Sequence, residues 1–320
     1  MPHDVHSAAG RPGQLTPDEA KRINSIASRA SLVIAAILVT TKLLVWHVSG
    51  SVSLLASAAD SALDLTASLT VFFAIRYAAQ PADQDHRYGH GKAEAAAGML
   101  QAVLVAISAA LLLREGVVHA INPVEVEAEA WALGVMVLSM VLTLLLIQIQ
   151  SRTLAQTGSV AIEGDRAHYF TDLGSNLAVI VGLAGTTFLG WVWLDGVVAI
   201  AIALWLFWTA WEVASGAFDQ IMDKELPDED RDRIAAIAAD DSRIIDIHDL
   251  RTRAAGPIIH IQFHMALPGE LALRDAHAVL VACEERLLAA YPAADIIIHP
   301  DPHGEAEPHG AAFFKPQNHA

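Results

Sequence analysis

The sequence predicts an α-helical polytopic membrane protein with six transmembrane helices, followed by a C-terminal α+β domain. Its 320 residues are 54% hydrophobic, and the mean hydropathy of +0.40 is higher than an ordinary soluble domain shows. The apolar residues fall in long blocks rather than in short alternating runs. After the sixth block the composition changes sharply at the charged stretch MDKELPDEDRDRI, so a soluble domain is expected to begin there.

Six stretches reach the length of about 20 mostly apolar residues that a membrane-spanning helix needs. They cover residues 30–49, 52–78, 94–118, 130–151, 168–189 and 193–216. The N-terminal region is charged and lacks an early apolar run, which does not resemble a cleaved signal peptide, so the first span is expected to direct targeting. The predicted division is a disordered N-terminal segment at 1–25 in which a juxtamembrane helix begins near Pro17, a membrane domain at 26–218, a cytoplasmic domain at 219–301 and a flexible tail at 302–320.

The distribution of Lys and Arg predicts the orientation of the spans, because cytoplasmic flanks are enriched in these residues. One side of the topology collects most of them: Lys21, Arg22, Arg29, Arg76, Arg87, Lys92, Arg152 and Arg166. The other side has little beyond Arg114. Both termini are therefore expected in the cytoplasm, with the chain crossing the membrane several times.

The soluble domain has the pattern helix, strand, strand, helix, strand. The predicted elements are a helix at 228–239, a strand at 244–254, a turn at 255–257, a strand at 258–267, a helix at 271–290 and a strand at 294–299. In the second strand apolar residues alternate with polar ones, so His260 and His264 are expected on one face and the core on the other.

Two pairs of potential metal ligands lie inside the apolar spans. Asp60 and Asp64 are four residues apart in the second span, and His168 and Asp172 are four apart in the fifth. On a helix this spacing places both side chains of a pair on one face, one turn apart. A charge near the bilayer centre costs roughly 2.5 to 3.5 kcal/mol, so these groups need partners or a water-filled cavity. A shared divalent cation would satisfy all four.

The ligand types indicate which metals fit. Three carboxylates and one imidazole make the tetrahedral set of four that Zn²⁺ prefers, and they also accept Cd²⁺, Fe²⁺, Mn²⁺ or Co²⁺. Cys283 is the only cysteine, so the chain has neither a disulfide framework nor a thiolate site for Cu⁺. A net charge of −16 argues against a nucleic-acid partner, and no motif indicates an organic cofactor.

These residues resemble the cation diffusion facilitators, and in particular their bacterial zinc and ferrous-iron efflux branch. The resemblance rests on both ligand pairs, on GSVSLLASAADSALD, on QPADQDHRYGHGKAEA and on HDLRTR, and it covers almost the whole chain. It implies a homodimer that exports metal by alternating access, driven by inward proton flow. It also implies a metallochaperone-like αββαβ fold for the cytoplasmic domain.

The resemblance implies two further metal sites outside the membrane. The first lies in the loop after the second span, at Asp83, His86 and His90. The alternative is a hydrated loop with incidental histidines, since three ligands leave one position of a tetrahedral zinc site open. The second is a cytoplasmic site in which Zn²⁺ acts as a structural ion between protomers. Its predicted ligands are His248, His264, His277, His299 and Asp301.

Two lysines near or within the spans have candidate roles. Lys92 and Asp223 both lie at the cytoplasmic edge of the membrane, where an ion pair would tie the loop to the soluble domain. Lys42 lies within the first span, and either snorkels to the interface or faces an intramembrane carboxylate. The sequence leaves both of those orientations open.

Two other functions explain part of the pattern. An intramembrane aspartyl protease would use Asp64 and Asp172, but it leaves Asp60 and His168 unused and the chain has no Gly-x-Gly-Asp or His-Glu-x-x-His segment. A passive metal channel or a magnesium transporter is the other alternative. His168 disfavours Mg²⁺, which prefers oxygen ligands and retained water. A flux that depends on protons would separate an antiporter from a channel.

Overall fold

The computed structural model describes residues 10, 12–49, 52–121, 130–185, 191 and 193–305. Six long helices form the first part of the chain: α1 Pro17–Ser49, α2 Val52–Ala78, α3 Lys92–Ile121, α4 Ala130–Thr157, α5 Val160–Ala184 and α6 Leu194–Ile221. The second part contains α7 Asp228–Ala238, β1 Asp246–Ala255, β2 Ile258–Leu267, α8 Leu273–Ala290 and β3 Ala294–Pro302. The predicted fold class is confirmed.

Five of the six long helices in the described ranges, namely α1, α2, α3, α4 and α6, are long and apolar enough to cross a membrane. Helix α5 differs because it carries polar and ionisable side chains, among them Asp165, His168 and Asp172, along a face that the other helices cover. At the ends predicted to face the cytoplasm, α1, α3, α4, α5 and α6 run past the predicted spans, whereas α2 ends at Ala78 as predicted. Helix α1 begins as early as Pro17 because Thr16 and Glu19 form a capping box that stabilises its first turn. The Glu19 carboxylate accepts from the Thr16 backbone N–H at 3.0 Å, and the Thr16 hydroxyl accepts from the Glu19 backbone N–H at 3.3 Å.

Helix α5 lies at the centre of the bundle and contacts α1, α2, α3, α4 and α6. Its side chains at Ala161, Ile162 and Tyr169 are fully buried. Helices α3 and α6 approach each other closely, and a Cβ atom at Gly196 would lie 2.5 Å from the backbone nitrogen of Ala120. Small residues at such crossings let helix backbones pack directly, as is common in membranes.

The cytoplasmic domain is a three-stranded sheet in the order β1-β2-β3, covered on one face by α7 and α8. Strands β1 and β2 are antiparallel, whereas β2 and β3 are parallel. The covered face of β2 contributes Ile259, Ile261, Phe263 and Met265, each at most 2% exposed, to the core. The predicted alternation of β2 is therefore correct, and its histidines lie on the opposite face. Five predicted elements agree with the structure to within three residues at each end.

The predicted N-terminal segment lies partly, and the predicted tail mostly, outside the described residues. The structure describes residue 10 and residues 12–25 of the N-terminal segment, with α1 beginning at Pro17 where the juxtamembrane helix was predicted. Residues 306–320 of the predicted tail lie outside the described ranges. The disorder expected of these segments stays a prediction.

Candidate metal sites

The membrane site brings together three of the four predicted ligands. One ligand atom from each of Asp64, His168 and Asp172 lies within 4.8 Å of the other two. Nε2 of His168 lies 2.9 Å from Oδ1 of Asp64. His168 is 7% exposed, and its Nδ1 is buried without a hydrogen-bond partner in the described part of the chain. A buried imidazole and two facing carboxylates form a donor set that suits Zn²⁺ and similar cations.

Asp60 lies one helical turn before Asp64 on α2 and is not part of this cluster. Its side chain is exposed in the single chain. The i,i+4 relation to Asp64 keeps it on the same face of α2, so it remains the predicted fourth ligand.

Hydrogen bonds beside the site fix the register of the helices that carry it. The Tyr169 hydroxyl lies 2.9 Å from the Ser68 hydroxyl, one turn beyond Asp64. The same Tyr169 hydroxyl lies 3.3 Å from the backbone carbonyl of Ser31 on α1. Tyr169 follows His168 directly, so these contacts join α1, α2 and α5 at the level of the ligands.

Two buried acids in the membrane domain were not identified from the sequence. Asp165 is fully buried on α5, where one carboxylate oxygen accepts from Ser31 at 2.6 Å and from Gln150 at 2.8 Å. Glu94 is 3% exposed at the start of α3 and bonds to Asn24 and Ser159. A signal was present for Asp165, because it precedes His168 by three residues and so shares its helix face.

The structure brings together Asp83, His86 and His90, the three residues of the predicted loop site. Nε2 of His90 lies 3.2 Å from Oδ2 of Asp83, and Nδ1 of His86 lies 3.4 Å from Oδ1. His90 is 6% exposed and its Nδ1 has no partner in the described residues, whereas Asp83 and His86 face solvent. Hydrogen bonds from the backbone N–H groups of His86 and Asp85 lower the pKa of Asp83 and keep it ionised. This geometry leaves an open side for a fourth ligand.

The cytoplasmic site forms a row across the three strands. His248 is paired in register with His264, and His264 with His299. All three surround Asp301, which is 6% exposed, at distances of 3.2, 2.9 and 3.2 Å respectively. Burial alone would raise the pKa of Asp301, but the hydrogen bond from His264 and the nearby histidine charges lower it.

The fifth predicted cytoplasmic ligand, His277, does not join this row. It lies on α8, where its side chain is exposed. The compact group of potential ligands consists of His248, His264 and Asp301, and the His299 imidazole lies beside it. The role predicted for His277 therefore needs a second ion or a partner chain.

The predicted ion pair between Lys92 and Asp223 is present, with Nζ 2.9 Å from Oδ1. The structure adds Arg253, whose guanidinium donates to the same oxygen at 2.9 Å. Burial would raise the pKa of Asp223, but the hydrogen bonds from Lys92 and Arg253 lower it. Sequence reasoning missed Arg253, although it lies five residues beyond His248 in the HDLRTR region.

The metal-site loop packs against the sheet. The Arg253 guanidinium carbon lies 4.9 Å from the centre of the Tyr88 ring, and the His260 ring lies 5.6 Å from that ring. A Cβ atom at Gly91 would lie 2.0 Å from the carbonyl oxygen of Ala255, so only glycine allows this approach. The loop site and the cytoplasmic domain are thus in direct contact.

Comparison with known proteins gives two family matches that together span most of the chain. A model described as the cation efflux transmembrane domain matches residues 28–222, and one described as the cation efflux protein, cytoplasmic domain, matches residues 226–303.

Curated relatives match over nearly their whole length. The cation-efflux pump FieF of Shewanella oneidensis is 45% identical over 277 residues, which cover 87% of this chain and 93% of the relative. The protein of the same name from Cronobacter sakazakii is 37% identical over 284 residues, 88% of this chain and 93% of the relative. That from Klebsiella pneumoniae is 35% identical over 294 residues, 92% of this chain and 98% of the relative.

Proposed function

The chain belongs to the cation diffusion facilitator family, and from that membership we propose that it exports Zn²⁺ across the bacterial inner membrane in exchange for protons. It is a membrane transporter for divalent cation efflux rather than an enzyme. Fe²⁺ and Cd²⁺ are the other cargoes that its ligands accept.

The observation that carries this proposal is the cluster of Asp64, His168 and Asp172 at the centre of the bundle. Asp60 supplies the fourth ligand from the next turn of α2. Because one helix pair carries all four groups, a relative movement of α2 and α5 would open or close the site as a unit. Alternating access then exposes the loaded site to the cytoplasm and to the outside in turn.

Proton exchange follows from the chemistry of the ligands. Carboxylates bind metal when deprotonated and imidazole when neutral, so protons and metal compete for the same atoms. The 2.9 Å contact between His168 and Asp64 requires a hydrogen between the two heavy atoms in the metal-free site. Metal binding requires His168 to be neutral, with its ligating nitrogen unprotonated, and the aspartates to be ionised, so any proton held beyond the one N–H of neutral imidazole is released as the cation enters, and protons arriving from outside displace the cation.

The row around Asp301 is proposed to hold structural Zn²⁺ in a homodimer. The compact group of His248, His264 and Asp301, with His299 beside it, offers imidazoles and a carboxylate, which is a donor set that fits zinc. Bound there, zinc would add a rigid link between neighbouring strands. The cytoplasmic family model supports a domain shared with other cation efflux proteins.

Reconstituted vesicles give the direct test. The purified protein is placed in liposomes that contain a zinc-sensitive dye, a pH gradient is imposed, and wild type is compared with Asp64→Ala. Zinc flux that depends on the gradient and is lost in Asp64→Ala supports the antiporter and its central site. Zinc flux that ignores the gradient would instead support a channel, and absence of flux for zinc, iron, cadmium and manganese would overturn the proposal.

A further inference from the structure

Lys42 does not snorkel to the membrane interface but turns into the bundle. Its Nζ donates to the Ser61 hydroxyl at 2.6 Å and to the Ser57 carbonyl at 3.2 Å, both on α2. Ser61 follows Asp60 directly, precedes Asp64 by one turn and is 1% exposed. The ammonium group therefore lies at the level of the transport ligands, within a helix that is otherwise apolar enough to span the membrane.

The acceptors described for Lys42 are both neutral. Its charge is close enough to act electrostatically on Asp172 across the site. A cation held by a hydroxyl and a carbonyl beside several carboxylates is arranged to balance their charge without blocking their oxygens. The carboxylate oxygens stay free for a metal.

The charges of the site support this arrangement. Asp60, Asp64 and Asp172 carry three negative charges when they bind a metal, and the neutral imidazole of His168 adds none. A divalent cation balances two of the three, and Lys42 balances the third. The four ligands, the metal and Lys42 together are then neutral, and a neutral group is the least costly to hold in a low-dielectric membrane domain.

We propose that Lys42 is the tethered counter-cation of the transport site, a positioning residue whose fixed charge limits how tightly a divalent cation is held. This inference rests on the transport function proposed above. A positive charge beside the site repels the cargo. It thus weakens binding and lets the metal leave, since a transport site must bind well enough to load but loosely enough to release.

Three substitutions separate the charge of Lys42 from its contacts. Lys42→Gln keeps a donor for Ser61 and removes the charge. Lys42→Met removes both, and Lys42→Arg keeps the charge. The Michaelis constant and maximal rate of zinc flux are measured in liposomes for each variant, beside Ser61→Ala, which removes one acceptor and keeps the charge.

We expect Lys42→Gln and Lys42→Met to lower the KM for zinc by on the order of tenfold and to lower the maximal rate, because the metal binds more tightly and leaves more slowly. Lys42→Arg should keep a KM within about twofold of wild type, since the charge remains. The joint fall of KM and maximal rate is the signature, because a residue that merely joins α1 to α2 would not tighten binding.

Other outcomes overturn the inference. An unchanged or higher KM in Lys42→Gln shows that the charge does not act on the cargo. Equal losses of rate in Lys42→Gln and Ser61→Ala at constant KM show that Lys42 only links two helices. If wild type itself moves no divalent cation, the transport proposal fails instead, and the two failures are thereby distinguished.

Discussion

Nε2 of His168 and Oδ1 of Asp64 lie 2.9 Å apart and join α5 to α2 across the centre of the membrane domain. The contact links one member of each ligand pair. Among the described residues of this cluster, His168 provides the one nitrogen donor, and Asp64 and Asp172 provide oxygen donors. The selectivity of the site should therefore depend on this one side chain.

The substitution His168→Asp is expected to change metal preference more than it reduces transport. Replacing imidazole by a carboxylate gives an all-oxygen site, which favours Mn²⁺ and disfavours Zn²⁺. Flux ratios for zinc, cadmium, iron and manganese in liposomes measure the change. Equal loss of every metal would contradict a selectivity role for His168.

Tyr169→Phe should lower the stability of the membrane domain without changing metal preference. The change removes the hydroxyl that lies within hydrogen-bond distance of Ser68 and of the Ser31 carbonyl, at a cost of about 1–3 kcal/mol for buried groups left unpaired. Thermal unfolding in detergent reports the loss, and flux ratios among metals serve as the control. A ratio that shifts as strongly as in His168→Asp would show that Tyr169 contributes to selectivity.

Charge reversal of Lys92 and Asp223 should rescue function only in part. The single change Lys92→Glu places two carboxylates side by side, which repel each other. The single change Asp223→Lys places a third positive charge beside Lys92 and Arg253. In the double variant Lys92→Glu with Asp223→Lys the pair is restored, but the new lysine still faces Arg253. An exposed pair contributes about 0–1 kcal/mol, so transport rate is the more sensitive measurement. A double variant no better than either single one would show that the pair has no functional role.

Asp301→Asn should flatten the acid dependence of stability in the metal-free protein. The pKa of Asp301 is lowered in the fold, so its contribution to stability is present above the ordinary pKa of an aspartate and is lost as the pH falls through the lowered value. Calorimetric melting of the full chain with a chelator, from neutral pH into the acid range, measures this. If the melting temperature of the variant depends on pH as that of wild type does, the ionised form of Asp301 is not stabilised by the three histidines around it.

The same variant should lose stabilisation by zinc. Wild type is expected to melt at a higher temperature with added Zn²⁺, because a ligand that binds only the folded state raises its stability. Asp301→Asn removes the carboxylate that would bind zinc and that all three histidines contact, so it should reduce the rise in melting temperature caused by zinc. Glu270→Gln, an exposed acid in the same domain, is the matched control and should keep the full shift.

The sequence predicted the elements and ligand groups better than it predicted their partners. Periodicity and composition are local, so β2 was predicted at 258–267 as observed, and Asp64 could be matched with His168 by motif alone. Arg253, Ser31 and Gln150 were missed because their importance arises from contacts between distant helices or strands. Lys42 was noticed, but its direction depends on how α1 packs against α2, which no local pattern records.

The polarity of α5 has a consequence for the biogenesis of the protein. A segment that carries Asp165, His168 and Asp172 is a poor substrate for insertion by itself, since charged residues at a helix centre oppose partition from the translocon into lipid. Helix α6 is strongly apolar and follows α5 directly in the chain. We therefore expect α5 to enter the bilayer together with α6 as a hairpin, so that truncation before Leu194 during synthesis would leave the metal-binding helix outside the membrane.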